Sequence, residues 1–223
     1  MNEERLAEQL EQQIRQWSNH LLRESPLLAL AQRGALSQVG MAKYLASLRH
    51  LFACSERNLR RAALRARELG LEPLAEHLAQ KAGEEHGHAD WASADLSQLP
   101  EAVRGSDTPA RELLNLVQLQ GNLIDQHPLC FLAYALWAEY FTVLVGETWL
   151  AALSRSGFPR EQVSAIAKHI EADREHAATG LRVIDTFWTG DPPLGEILAG
   201  VERACHTFER FCLEICTLGS HAA

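Results

Sequence analysis

PLCFLAYALWAEYFTVLVG, running from Pro128 to Gly146, is the stretch on which the fold turns. Its only charged residue is Glu139, and apolar side chains occupy every side of the helix that it predicts. A helix that is hydrophobic all round belongs inside a bundle or inside a membrane. The bundle is the better reading, because the run stands alone in a charged, amphipathic chain and is broken at its middle by a carboxylate. Glu139 is then expected in or along the core. A buried carboxylate with no partner costs on the order of several kcal/mol, so Glu139 requires a cation, a proton or a metal. Glu147, about 80° further round the same helix, is the weaker candidate, since Gly146 and Thr148 put it at the polar end of the run.

Downstream lies His169-x3-Asp173-x2-His176. At about 100° per residue these three side chains fall within roughly a 60° arc of one helix face. Two imidazoles and a carboxylate are what iron, manganese or zinc takes from a protein. The ordinary alternative is a solvated face, because Lys168, Glu171, Arg174 and Glu175 make the segment polar nearly all round.

Upstream, Glu84-Glu85-His86-Gly87-His88-Ala89-Asp90-Trp91 is dense in ligand types. Glu85 and His88 stand at i and i+3, adjacent on a helix face, and Asp173 and His176 repeat that spacing. Glu84, at i−4 from His88, competes with Glu85. Carboxylate-x-x-His from two helices, with a single carboxylate from each of two others, is the ligand arithmetic of a carboxylate-bridged di-iron site in a bundle. Glu139 supplies one single carboxylate. Glu56 is the candidate for the other, against the ordinary alternative of an exposed Glu paired with Arg60 at i+4.

The remaining long segments have helical periodicity and none alternates like a strand. Helices are expected at about 2 to 24, 37 to 69, 73 to 98, 109 to 125, 128 to 155, 159 to 188 and 192 to 218. Ser37, Thr108-Pro109, His127-Pro128 and Phe158-Pro159 mark starts, and Gly70 marks a stop. No repeat or linker divides the 223 residues, so one all-helical domain spanning 1–223 is expected. A net charge of −8 argues against a nucleic-acid or anionic-membrane partner. The first residues lack the basic and apolar regions of a signal peptide, which points to the cytoplasm. Five cysteines without a CxxC pair suggest no disulfide framework; Cys205, Cys212 and Cys216 share one face and read as packing.

Taken together, the cluster from Glu84 to Trp91, the triplet His169, Asp173 and His176, and Glu139 thirty residues before it resemble the heme-oxygenase-like di-iron oxidase and oxygenase family. That fold is a seven-helix bundle shared with heme oxygenase, thiaminase II and pyrroloquinoline quinone synthase. The resemblance runs through most of the chain. It implies Glu85, His88, Glu139, His169, Asp173 and His176 as iron ligands, with Glu56 as an additional carboxylate and no catalytic residue beyond the ligands. It also implies two ferrous ions, loosely held, that activate O2. The substrate would be a small amino-acid-like or fatty-acid-like metabolite undergoing N-oxygenation, desaturation or oxidative C–C cleavage. Oligomeric state stays open, a homodimer included. Trp91, Phe131, Tyr134, Trp137, Tyr140 and Phe141 are candidates to wall a pocket.

Three rival chemistries are weaker. A heme oxygenase needs an axial histidine, for which His20 could serve, and a glycine-rich distal helix, where Gly146-Glu147-Thr148-Trp149 offers one glycine and an indole. A ferritin-like protein leaves His169 surplus. A thiaminase-like hydrolase needs a nucleophile such as Cys130. The alternative of a different class is a metal-free ligand-binding module.

Overall fold

The computed structural model describes residues 5–104 and 108–219. Those residues form ten α-helical segments, a 3-10 turn and no strand. The helices are α1 (Leu6–Glu24), α2 (Pro26–Gln32), α3 (Gln38–Glu68), α4 (Glu72–Glu84), α5 (His88–Ser97), α6 (Glu101–Arg104), α7 (Arg111–Gln126), α8 (Pro128–Arg155), α9 (Ser164–Phe187) and α10 (Leu194–Gly219). Residues 2 to 4 of the expected first helix lie outside the described residues. The all-helical expectation is met, but the elements exceed seven, for local reasons. Ser25 accepts a hydrogen bond from the Leu28 N–H at 3.3 Å and so caps α2 separately from α1. The helix expected over 73 to 98 is two, because Gly87 adopts φ +82°, a left-handed conformation that ends the ladder between α4 and α5.

α8 is the expected central helix. It packs against α9, α10, α1, α7 and α2, and its most apolar window is 67% buried inside the bundle. Close approach of α8 to α9 depends on two glycines. A Cβ on Gly146 would overlap the Ile170 side chain, and one on Gly180 would lie 2.7 Å from Leu136 Cδ1. Gly146 therefore serves the close packing of α8 on α9. α3 lines the other wall, against α4, α5, α7 and α10. A contiguous set of buried apolar side chains, with Leu10, Leu45, Leu78, Leu113, Trp137, Ile170 and Phe211 among them, joins nearly all the helices.

Two starts differ from the sequence reading. Thr108 does not cap α7; the Glu214 carboxylate on α10 accepts from the Arg111 and Glu112 N–H groups at 2.9 and 2.8 Å. The Phe158-Pro159 break leads into a 3-10 turn over Arg160–Val163, and α9 begins at Ser164. There the fully buried Asp95 on α5 accepts from the Ser164 hydroxyl and the Ala165 N–H, both at 2.7 Å. A carboxylate at a helix N-terminus satisfies orphan donors and complements the helix dipole. Asp95 thus sets the position from which α9 presents its histidines.

Candidate metal centre and cavity

Helices α4, α5, α8 and α9 bring one polar cluster into the apolar interior. Glu85 ends α4 and His88 opens α5, so the two flank the Gly87 turn and do not share a continuous helix face. Their side chains still meet, with His88 Nδ1 3.3 Å from Glu85 Oε2. His169 comes from α9 with its ring 4.6 Å from that of His88, edge-on. Glu85, His88 and His169 each offer a ligand atom, and these three atoms lie within 4.8 Å of one another. Aromatic stacking fixes both imidazoles. Phe52 lies flat on His169 at 4.0 Å between centroids, and Trp91 on His88 at 4.1 Å.

Asp173 and His176 continue the stripe on α9, as the spacing predicts. Asp173 is buried between the two imidazoles, with Oδ2 3.7 Å from His169 Nδ1 and Oδ1 3.8 Å from His176 Nδ1. Burial alone would raise its carboxyl, yet His169 and His176 outweigh that and hold it below the ordinary value. Asp173 in turn raises the His176 pKa, against burial. Glu139 is buried on α8, as expected. Its partner is Lys81 on α4, whose Nζ lies 2.6 Å from Glu139 Oε1, both side chains being almost wholly buried. Burial pushes the Glu139 carboxyl up to about 7 against the pull of Lys81.

Lys81 was not foreseen, although a signal was present. Leu74, Leu78, Lys81 and Glu85 fall at i, i+4, i+7 and i+11, one stripe of α4, so a lysine there is carried into the core with the leucines before it. The requirement that Glu139 find a cation pointed to such a group.

The other candidates separate. Glu147 is exposed and pairs with Arg160 and Arg174, which leaves Glu139 as the interior carboxylate. Glu84 lies at the outer edge of the cluster, 3.4 Å from His176 Nε2, while Glu85 faces His88. Glu56 turns away from the cluster and bonds to Arg60 and His86 at 2.8 and 3.1 Å, the ordinary alternative for a Glu four residues before an Arg. Cys130 is buried with its thiol pushed up to about 11, so desolvation overrides the helix dipole and leaves a poor nucleophile. His20 is half exposed beside Glu209, away from the cluster.

The cluster faces a cavity of about 190 Å³. Along α3 its lining runs from Tyr44 through Leu48, Phe52 and Ser55 to Leu59, which at 1.5 Å per residue is roughly 22 Å. Leu21, Leu27 and Leu28 line it from α1 and α2, and Lys81, Glu85, Glu139, His169 and Asp173 supply polar groups to its lining. Of the expected aromatic wall, Phe131, Tyr134, Trp137 and Phe141 are present. Trp91 instead backs His88, and the Tyr140 hydroxyl donates to Glu11 at 2.9 Å. Tyr134 is oriented by a buried chain in which Asn58 donates to Gln120 at 2.6 Å and Gln120 donates to the Tyr134 oxygen at 2.8 Å.

The donor chemistry can be tested against a metal. His88 Nδ1, His169 Nε2, His176 Nδ1 and Glu139 Oε2 are buried with no hydrogen-bond partner among the described residues. Buried polar atoms are rarely left so unless a water or ion belongs there. Imidazole and carboxylate around one point suit iron or zinc, so Glu85, His88 and His169 fit a metal.

Solved structures with the same architecture exist in three bacteria. A domain of unknown function with a heme oxygenase-like fold from Shewanella denitrificans superposes with a TM-score of 0.80 at 19% identity, covering 93% of this chain and 90% of the other. A TenA homolog from Pseudomonas syringae pv. tomato gives 0.71 at 16% identity, covering 95% and 93%. A CADD-like protein of unknown function from Nostoc punctiforme gives 0.69 at 16%, covering 94% and 97%. This chain has the heme oxygenase-like fold. No family model and no curated protein matches its sequence. Within the heme oxygenase-like architecture, then, it is the geometry of its own buried cluster that carries a functional reading.

Proposed function

We propose that this protein is a non-heme iron oxidase or oxygenase that uses O2 to oxidise an elongated, apolar metabolite. The observation that carries the reading is the convergence of Glu85, His88 and His169 on one point at the wall of a long apolar cavity. When bound, ferrous iron supplies the site for O2 and the electrons that make it an oxidant. The chain's own residues do the rest. Glu85 and the two imidazoles hold the ion, Phe52 and Trp91 prevent the rings from turning, and Asp173 orients His169 through Nδ1, as an outer carboxylate does in many metal sites. Leu48, Phe52, Phe131 and Trp137 exclude water and receive the substrate chain. Of the two substrate types implied by the sequence, the fatty-acid-like one suits this lining, since its hydrocarbon chain matches the leucine and aromatic side chains that run along the cavity. Desaturation and C–C cleavage are the reactions that such a substrate admits. The cytoplasm, where ferrous iron and a small metabolite are both at hand, is the proposed location.

A metal-free binding module is the second reading, favoured by the Lys81–Glu139 pair, which satisfies one buried carboxylate without any ion. Anaerobic loading with ferrous iron followed by O2-uptake measurements with medium-chain fatty acids and an external reductant separates the two. The oxidase takes up iron and consumes O2 faster when a chain-like substrate is present. A binding module shows fatty-acid affinity that is the same with and without iron and no O2 uptake.

A further inference from the structure

Two halves of the buried cluster differ in their supply of positive charge. Glu85, His88 and His169 converge on one point, where the Glu85 carboxylate pairs with His88 and with no lysine or arginine among the described residues, and His169 carries a buried nitrogen without a hydrogen-bond partner. Glu139, Asp173 and His176 form the other half, and Lys81 Nζ stands in it, 2.6 Å from Glu139 Oε1. We infer that the site is mononuclear: one divalent metal ion is held by Glu85, His88 and His169, and the Lys81 ammonium takes the place in which a second ion would bridge to Glu139. This inference rests on the metal-dependent reading above and replaces the pair of irons that the sequence pattern implies.

Two independent arguments support it. The first is ligand type. Two histidines and one carboxylate, with the remaining positions open, are the facial set of mononuclear non-heme iron oxygenases. The second is charge. The formal charges of Glu85, Glu139 and Asp173 set against that of Lys81 sum to −2 (three carboxylates, one ammonium), which one divalent cation neutralises. Two divalent ions beside a protonated Lys81 would place five positive charges against three buried carboxylates, and the excess repulsion is severe where water is scarce. Glu84 does not redress this, because it sits at the solvent-exposed edge against His176. Lys81 cannot simply withdraw to water, since its side chain is only 7% exposed and lies on the buried face of α4 with Leu74 and Leu78.

The test uses the full-length protein, stripped with a chelator and equilibrated by dialysis with Mn(II), and separately with Fe(II) under anaerobic conditions. Metal per chain is measured with the Mn(II) electron paramagnetic resonance spectrum. Wild type is expected to bind one ion and to show the six-line spectrum of an isolated Mn(II). Lys81→Met keeps the length of the stem and removes the charge; it should admit a second ion and give the broadened, multiline spectrum of a coupled pair. Glu139→Gln retains Lys81 and should still bind one ion, which keeps the inference testable should Lys81→Met fail to fold. Two coupled ions in wild type overturn the mononuclear assignment while leaving the metal-dependent reading intact. So does loss of the ion in Glu139→Gln, or a folded Lys81→Met that still takes only one. No bound metal in wild type overturns the metal-dependent reading and this inference with it.

Discussion

The helix α8 and the turn between α4 and α5 both deliver a carboxylate to the same cavity, and they do so by opposite means. α8 is a 28-residue helix whose apolar side chains carry Glu139 into the interior, and its carboxylate is met by a lysine from a neighbouring helix. The α4–α5 turn is polar, bends at Gly87, and presents Glu85 and His88 as a pair in which the carboxylate meets an imidazole and no lysine or arginine among the described residues. The difference teaches that burial alone does not identify a metal ligand. A buried carboxylate beside a lysine is already compensated, whereas buried imidazole nitrogens facing a carboxylate across an apolar wall are not.

The strongest blow to this contrast is His169→Ala. It removes a ligand from the uncompensated half, and metal affinity should fall by more than the roughly 10–100-fold that loss of an outer partner costs. Isothermal titration with Mn(II) measures it; unchanged affinity would move the metal away from α9. The compensated half is read by pH. Glu139 has a folded pKa of about 7 against an ordinary 4.5, so the folded state holds a proton that the unfolded chain releases. Its contribution to stability is therefore full below about 4.5 and lost as pH rises towards 7. Glu139→Gln has no such proton, so the stability of metal-free wild type relative to the variant should decline across that window, by on the order of 3 kcal/mol. Urea unfolding at pH 5 and 7.5 gives the difference, and a flat one would mean that the pair stays ionised throughout.

A smaller effect is expected where the two helices that carry the cluster meet. Gly146→Ala pushes a methyl group into Ile170, one residue beyond His169, and overpacking of this kind costs about 1–3 kcal/mol. Thermal unfolding should show the loss, and Mn(II) affinity should weaken with it if the α8–α9 spacing sets the position of His169. The smallest effect is expected at Glu56. Glu56→Gln breaks a contact with Arg60 and His86 outside the cluster, so metal stoichiometry and affinity should not change. A lost ion there would restore Glu56 to the ligand set.

By itself the sequence determined the all-helical class, the central position of Pro128–Gly146, the burial of Glu139 and the shared face of His169, Asp173 and His176, because each follows from the periodicity of one helix and the cost of burying charge. It also held the Ser37 cap, whose side chain accepts from the Gly40 N–H, and the boundary at His127-Pro128, where the structure adds that the His127 ring accepts from the Leu129 N–H. Tertiary structure alone decided that Glu85 rather than Glu84 faces His88, that Asp95 rather than Pro159 fixes where α9 begins, and that Lys81 reaches Glu139 across fifty-eight positions of chain. The physical reason is range. A helical stripe is written in neighbours three and four residues apart, whereas the partner of a buried charge is chosen by which helices pack together, and the local pattern does not encode that choice.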